Sequence, residues 1–270
     1  MDHTIQTQLC FSIDVEWAHP VVLADLLGLF DAAGVRCTLF VTHAGVVCGG
    51  HERGIHPNFR RNGESMRQLF KNRVVQDEQV TESVLYEHVL ATTLGYAPDA
   101  IGSRSHALFM ESGLLPLFKK LGLKYDASVQ MPLVSGLHPW RREQDIVMIP
   151  TWYTDHADLM AGYSEFDIKR LPLDSPGLKV FDFHPNLVYL NAPDDAFYQT
   201  TKSFYHDPEQ LLRVRYAGRG VRTLLLDLLE FIARRGETTV TLNAVNHQFR
   251  ARLHQDPDVR KDQAAVINCC

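Results

Sequence analysis

Strand-like apolar runs and helix-like periodic stretches alternate along this chain, and that alternation narrows its possible folds more than any other feature. LCFSID (9–14) reads as a strand, and Pro20 then opens the helix PVVLADLLGLFDAAG, which stops at Gly34. RCTLFVT (36–42) is rich in β-branched and aromatic residues and reads as the next strand. Residues 81–94 carry a helical pattern ending near Gly95, AIGSR (100–104) is a short strand, and 112–121 form a helix closed by Gly122. LKYDASV, DIVMIPTW and LKVFDFHP add three more strands. In GVRTLLLDLLEFIARRG (220–236), Leu224, Leu225, Leu228, Leu229 and Ile232 fall on one broad helical stripe. TTVTL (238–242) reads as a closing strand.

Strand–helix–strand units with short connections build a parallel sheet with helices on its faces. A chain of 270 residues suits one closed or nearly closed (β/α) barrel better than an open doubly wound sheet. The expectation is a single α/β domain over 1–270, with a core at about 9–242 and a C-terminal tail at 243–270. Residues 191–210 lack clear periodicity and are expected to cross one barrel end as a lid or excursion.

Composition excludes several classes. The 22% charged and 45% hydrophobic content is that of a globular chain, not of a disordered, collagenous or coiled-coil one. Twenty-seven Lys and Arg against 32 Asp and Glu leave a formal charge of −5, which argues against a nucleic-acid-binding face. MDHTIQTQLCFSID has neither a basic start nor an apolar core of secretory length, and no run approaches 18 apolar residues, so a cytoplasmic protein without a transmembrane segment is expected. Five Cys without a C-x-x-C pattern point to reduced thiols, with Cys10 and Cys37 in strand runs and Cys269–Cys270 in a frayed tail. The surplus lies in thirteen His, the commonest metal ligand and the side chain that titrates nearest neutrality.

Four segments carry candidate chemistry. In FSIDVEW, strand alternation puts Ser12, Asp14 and Glu16 on one face, so two carboxylates stand together at a strand's C-terminal end, where (β/α) barrels carry their active sites. Two acids that close need a cation or a shared proton; a solvated turn with Glu16 capping the next helix is the bland alternative. FDFHP likewise sets Asp182 and His184 on one face, with Pro185 keeping His184 extended; a rim or core His and a backbone-satisfied Asp are the competing readings. GGHERGIHPNF offers His51 and His56 in a glycine-rich loop, His51 with the weaker claim. SRSHALF gives Arg104 and His106 the same parity just past the third strand, Arg104 as a fixed cation able to orient a carboxylate. Most other His read as solvated or packed, while His138 and His156 follow strands and are candidates for a substrate groove.

These segments, in this order, resemble the NodB-type polysaccharide deacetylases, and are most similar to deacetylase-like proteins of O-antigen and other surface-polysaccharide loci. The resemblance spans roughly residues 9 to 242 and implies a distorted (β/α) barrel of about seven parallel strands and a divalent metal, zinc first, with cobalt, nickel, iron or manganese as alternatives. The family's T-F-D-D-type motif is matched by Ser12, Ile13 and Asp14, with Val15 at the usual second Asp and Glu16 as the replacement acid. Its H-x-x-x-H loop is matched at His56 only, because Arg60 stands four residues on; His106 is available as the missing imidazole. TWYTD (151–155) and FDFHPN are similar to the family's later motifs.

By resemblance, Asp14, Glu16, His56 and His106 surround the metal, Asp14 or Glu16 acts as base with Asp14 favoured, Arg104 holds that acid, and His184 is the general acid. Trp152, Asp155 and Tyr189 are the candidate substrate contacts. The implied reaction is metal-dependent removal of an N-acyl group from an amino sugar or related amide, on a soluble nucleotide-linked or lipid-linked conjugate. Two rivals stand beside it. An amidohydrolase-type barrel would carry H-x-H where D-V-E stands; a non-catalytic sugar-binding or regulatory protein on a degenerate deacetylase scaffold would explain the missing loop His.

Overall fold

The strand run QLCFSID becomes β1 (Gln8–Asp14), the interior member of a curled sheet in a computed structural model that describes residues 7–60, 63, 81–163 and 165–255. His3 and the Cys269–Cys270 pair lie outside those residues. The other strands are β2 (Thr38–Val41), β3 (Glu52–Ile55), β4 (Gly102–Ser103), β5 (Tyr125–Asp126), β6 (Trp140–Arg141), β7 (Val147–Met148), β8 (Tyr153–Thr154) and β9 (Leu178–Phe183). They follow the order β6-β7-β5-β4-β3-β2-β1-β9-β8. Every pairing is parallel except β6 with β7.

Among the described residues, the nine strands make about seven staves. β7 and β8 are successive pieces of one extended run, which bonds β5 and its continuation on one side (Ile149 N to Asp126 O, 2.8 Å; Thr151 N to Val129 O, 2.8 Å) and β9 on the other (Trp152 N to Val180 O, 2.9 Å). That run brings the two ends of the sheet together, while β6 is a two-residue antiparallel arm outside the ring. The fold is thus the distorted α/β barrel expected.

Packing follows the alternation read in the sequence. Phe11 is fully buried and packs on Phe30, Phe181 and Phe183, with ring centroids 5.2, 5.3 and 6.3 Å away. Phe30 belongs to the helix Pro20–Ala32, whose Val22, Leu23, Leu26 and Leu27 are also buried; Pro20 starts it and Gly34, at φ +66°, ends it in the left-handed conformation glycine tolerates. The helix Val221–Arg235 buries all five residues of its expected stripe. A methyl group at Gly102 would lie 1.9 Å from the Tyr125 ring, so glycine is what lets that side chain fill the barrel interior.

Two expectations change. GGHERGIHPNF is not one loop: ERGI forms β3, in register with β2 from Thr38–Glu52 to Val41–Ile55, and so separates His51 from His56 by the length of a strand. TTVTL is not a full strand either. Only Thr239 bridges to Leu9, with Val240 N bonded to Leu9 O at 3.0 Å, and the chain then enters the helix Leu242–Gln255. The described part of the expected tail, residues 243–255, is therefore packed structure: Val245 and Asn246 are buried, and Arg250 bonds Lys124 O (2.9 Å) and Asp145 O (2.7 Å). The first two amides of this helix donate to side chains of β2 and β3, Leu242 N to Thr38 Oγ1 (3.0 Å) and Asn243 N to Glu52 Oε2 (2.9 Å), and the Ala244 amide donates to the local cap, Thr241 Oγ1 (3.4 Å).

Residues 191–213 fold into two short helices, Asp195–Thr200 and Pro208–Arg213, capped by Asp194 and Asp207. Their side chains border the cleft described next, as expected of an excursion over one barrel end. Among the described residues, no helix is long and apolar enough to cross a membrane.

Candidate active site

The C-terminal ends of the strands open into one cleft of about 1160 Å³, walled by residues of the strand ends and of the 191–213 excursion. This is the end of a parallel barrel where side chains from different strands converge.

The first cluster starts where β1 stops. Beyond Asp14 the chain takes two consecutive left-handed residues, Glu16 (φ 48°) and Trp17 (φ 56°), a conformation that costs roughly 1–2 kcal/mol for each non-glycine residue. Simple alternation would leave Glu16 beside Asp14; the turn instead carries its carboxylate toward the ends of β3 and β4. There Glu16 Oε1 meets His106 Nδ1 at 2.8 Å and His56 Nε2 at 3.1 Å. His56 continues the β3 ladder through its amide to Val41 O (2.8 Å), and the His106 amide bonds Pro57 O (2.9 Å). Burial works against ionisation of Glu16, but the hydrogen bonds from His106 and His56 outweigh it and hold the carboxyl far below its usual range. Burial also opposes a charged His56, and the carboxylates of Asp14 and Glu16 overcome it, raising that imidazole.

These residues fit a divalent cation. One carboxylate and two imidazoles present ligand atoms within 4.8 Å of one another, both rings turned to the same oxygen. His56 Nδ1 is buried without a hydrogen-bond partner, 3.7 Å from Asp14 Oδ1. A His₂–carboxylate set suits zinc and its first-row neighbours and leaves a coordination position for water or substrate. A second group, Asp14, Asp182 and His184, also converges, but there the positive charge is already supplied by the protein.

That charge is Arg104, only 1% exposed. Its Nη1 donates to Ser12 Oγ (2.8 Å), Asp14 Oδ1 (3.0 Å) and Asp182 Oδ1; Nη2 donates to Thr151 Oγ1 (2.9 Å) and Nε to Ala127 O (3.1 Å). The guanidinium lies 4.4 Å from the centre of the Phe40 ring. Burial disfavours the Asp14 carboxylate, yet His56 and Arg104 more than compensate and keep it below its ordinary pKa. Asp182 goes the other way: burial, aided by the like charge of Asp14, pushes it up to about 7 despite Arg104.

Just past β9, within reach of Asp14 and Asp182, His184 Nδ1 bonds Asp155 Oδ1 at 2.6 Å, and the His184 amide donates to Asp155 Oδ2 at 2.9 Å. Burial opposes protonation of His184, but the Asp155 charge and hydrogen bond push it up to about 10. The His156 ring lies 5.4 Å from that of His184 and also lines the cleft.

The structure thus brings Asp14, Glu16, His56, Arg104, His106 and His184 together at one barrel end. It does not bring the three candidate substrate contacts to the cleft surface. Trp152 is fully buried, its indole donating to Val134 O (3.0 Å). Tyr189 is buried with Arg215 4.5 Å over its ring, and the carboxylate of Asp155 is taken by His184. The aromatic side chains lining the cleft are Trp17, Tyr198, Phe204 and Tyr205. For Tyr198, Phe204 and Tyr205 the signal was the aromatic and cationic content of AFYQTTKSFYHD inside the expected excursion. His51 sits at the far end of β3, where Nδ1 accepts Cys37 N (3.2 Å), and His138 is exposed with Nδ1 near Gly136 O. Cys10, Cys37 and Cys48 are free and buried, and burial pushes all three thiols up.

Comparison with known proteins agrees with this geometry. A family model described as WbmS-like polysaccharide deacetylase matches residues 11–202. Among solved structures, a candidate polysaccharide deacetylase involved in O-antigen biosynthesis from Bordetella bronchiseptica superposes with a TM-score of 0.69 at 29% identity, covering 83% of this chain and 90% of that one. A candidate polysaccharide deacetylase from Mycobacterium smegmatis shares the fold, with a TM-score of 0.56 and 17% identity over 93% of each chain. No curated protein matches the chain.

Proposed function

Because this chain belongs to the WbmS-like polysaccharide deacetylases, we propose that it is a metal-dependent hydrolase removing an N-acetyl or other N-acyl group from an amino sugar. The relative from Bordetella bronchiseptica is described as involved in O-antigen biosynthesis, and we extend that setting to this chain, acting in the cytoplasm on a soluble or lipid-linked precursor of a surface polysaccharide. The observation that carries the reading is the convergence of Glu16, His56 and His106 at the barrel end that also holds the His184–Asp155 pair.

Glu16, His56 and His106 would hold the cation. When bound, it supplies a Lewis acid for the acyl carbonyl and for the attacking water. Asp14 is the base: its carboxylate accepts a proton from the water, and Arg104 and His56 keep it ionised for that task. Arg104, fixed by five acceptors and the Phe40 ring, sets the direction of the Asp14 oxygens. His184, kept protonated by Asp155, hands its proton to the departing amine. His106 stands in for the second imidazole of the family's loop motif, whose usual position is Arg60.

The test is acetate release from nucleotide-linked N-acetylhexosamines and N-acetylated oligosaccharides, before and after chelation and after return of zinc, cobalt, nickel, manganese or iron(II). Release that chelator abolishes and one metal restores is the expected result. Undiminished release from protein that mass spectrometry shows to be metal-free would overturn the metal-dependent mechanism; release from no N-acyl sugar would overturn the substrate class.

A further inference from the structure

The acid of the proposed metal set sits on backbone that local sequence disfavours. Glu16 and Trp17 are consecutive left-handed residues, neither of them glycine, and such pairs persist only where surrounding structure over-determines them. Two contacts from outside β1 do so. Trp17 N donates to Thr42 Oγ1 at 3.2 Å, just beyond the end of β2. The Tyr205 hydroxyl donates to Glu16 O at 2.7 Å, reaching from the excursion 189 residues later. Tyr205 is itself anchored, since Asn186 Nδ2 donates to its carbonyl at 2.9 Å. Its ring also lines the cleft, so one side chain touches both the substrate cavity and the backbone of a proposed ligand.

From this geometry we infer that Tyr205 is a positioning residue for Glu16: its hydroxyl holds the left-handed turn that aims the Glu16 carboxylate at His56 and His106. The inference rests on the metal-centre reading above. It makes the 191–213 excursion part of the metal site's support, although no residue of the excursion belongs to the Glu16–His56–His106 set. Partners that fix a ligand in this indirect way typically contribute ~10–100-fold in metal affinity.

The test compares wild type with Tyr205→Phe, which removes only the hydroxyl, by titrating metal-free protein with Co²⁺ and by competing Zn²⁺ against a chelator of known affinity. The expected result is a ~10–100-fold weaker affinity in Tyr205→Phe, an altered visible spectrum of the cobalt complex, and unchanged thermal unfolding of the metal-free protein. Wild type and variant binding Co²⁺ equally, with the same spectrum, overturns the inference, as does a variant whose only change is a lower unfolding temperature. Failure of the wild type itself to bind either ion overturns the metal-centre reading and the inference with it, a visibly different result. If Tyr205→Phe does not fold, Thr42→Val releases the same turn from its other side; a smaller loss of affinity supports the inference, and wild-type affinity overturns it.

Discussion

Two glutamates, Glu16 at the C-terminal end of the barrel and Glu52 at its N-terminal end, accept hydrogen bonds from several groups each, and their partners separate chemistry from scaffold. Glu52 accepts from the Thr38 hydroxyl (2.9 Å), the Tyr125 hydroxyl and the Asn243 amide (2.9 Å), all groups whose pairing closes the fold. Glu16 accepts from two imidazoles on one oxygen, beside a buried His56 nitrogen with no partner, and Glu16 and His106 line an open cleft. A carboxylate surrounded by amides and hydroxyls is finished; one surrounded by imidazoles is arranged for a ligand. β3 joins the two ends, since Glu52 begins it and His56 follows it.

The sharpest contrast between the ends is catalytic, and its largest effect is expected at His184. Replacing it by Ala removes the general acid without touching Glu16, His56 or His106. The turnover number should fall by ~10²–10⁴-fold, while Co²⁺ affinity and the circular dichroism spectrum stay at wild-type values. A variant that deacetylates as fast as wild type would take His184 out of the mechanism.

Glu52→Ala is the mirror experiment. It strands the Asn243 amide and two hydroxyls at the barrel floor, and each buried group left without a partner costs about 1–3 kcal/mol. Thermal unfolding should move down by roughly 2–4 °C for each kcal/mol lost. Metal affinity should not move. If it dropped as far as expected for Tyr205→Phe, the two ends would not be independent and the contrast would fail.

Much of the upper end was legible in sequence because its residues ride on strong strand signals. Asp14 ends the apolar run of β1, His184 follows LKVFDF, and Arg104 and His106 follow β4. The lower end was not, because its signals are long-range. ERGI has little strand character of its own; it is held by the β2 ladder, with Glu52 bonded to partners 73 and 191 positions away. The helix Leu242–Gln255 is tied down in the same long-range way: Thr241 caps it locally, but its first two amides are held by Thr38 and Glu52. At the site itself, the strand parity of Asp14 and Glu16 was visible, but the left-handed turn that parts them depends in part on Tyr205. Asp155 read as a substrate contact because nothing local announces a partner 29 positions on.

That Asp155–His184 pair gives the smallest effect and the finest test of which end does chemistry. Asp155 stabilises the charged imidazole, so His184 stays protonated up to about 10. A general acid must carry its proton, so activity should persist into alkaline solution and decline only as pH rises through that value. Asp155→Asn removes the charge, lowers the His184 pKa and brings the alkaline decline down by roughly 1–3 pH units. Below the new limb the turnover number should fall only modestly, because Asn Oδ1 still accepts the imidazole proton that Asp155 Oδ1 accepts now. The check is the pH profile of kcat for both proteins, each saturated with the same metal. An alkaline limb that stays where wild type has it would mean that a group other than His184 gives the proton, and the Asp155 pair would then belong with Glu52, among the hydrogen bonds that only hold the barrel together.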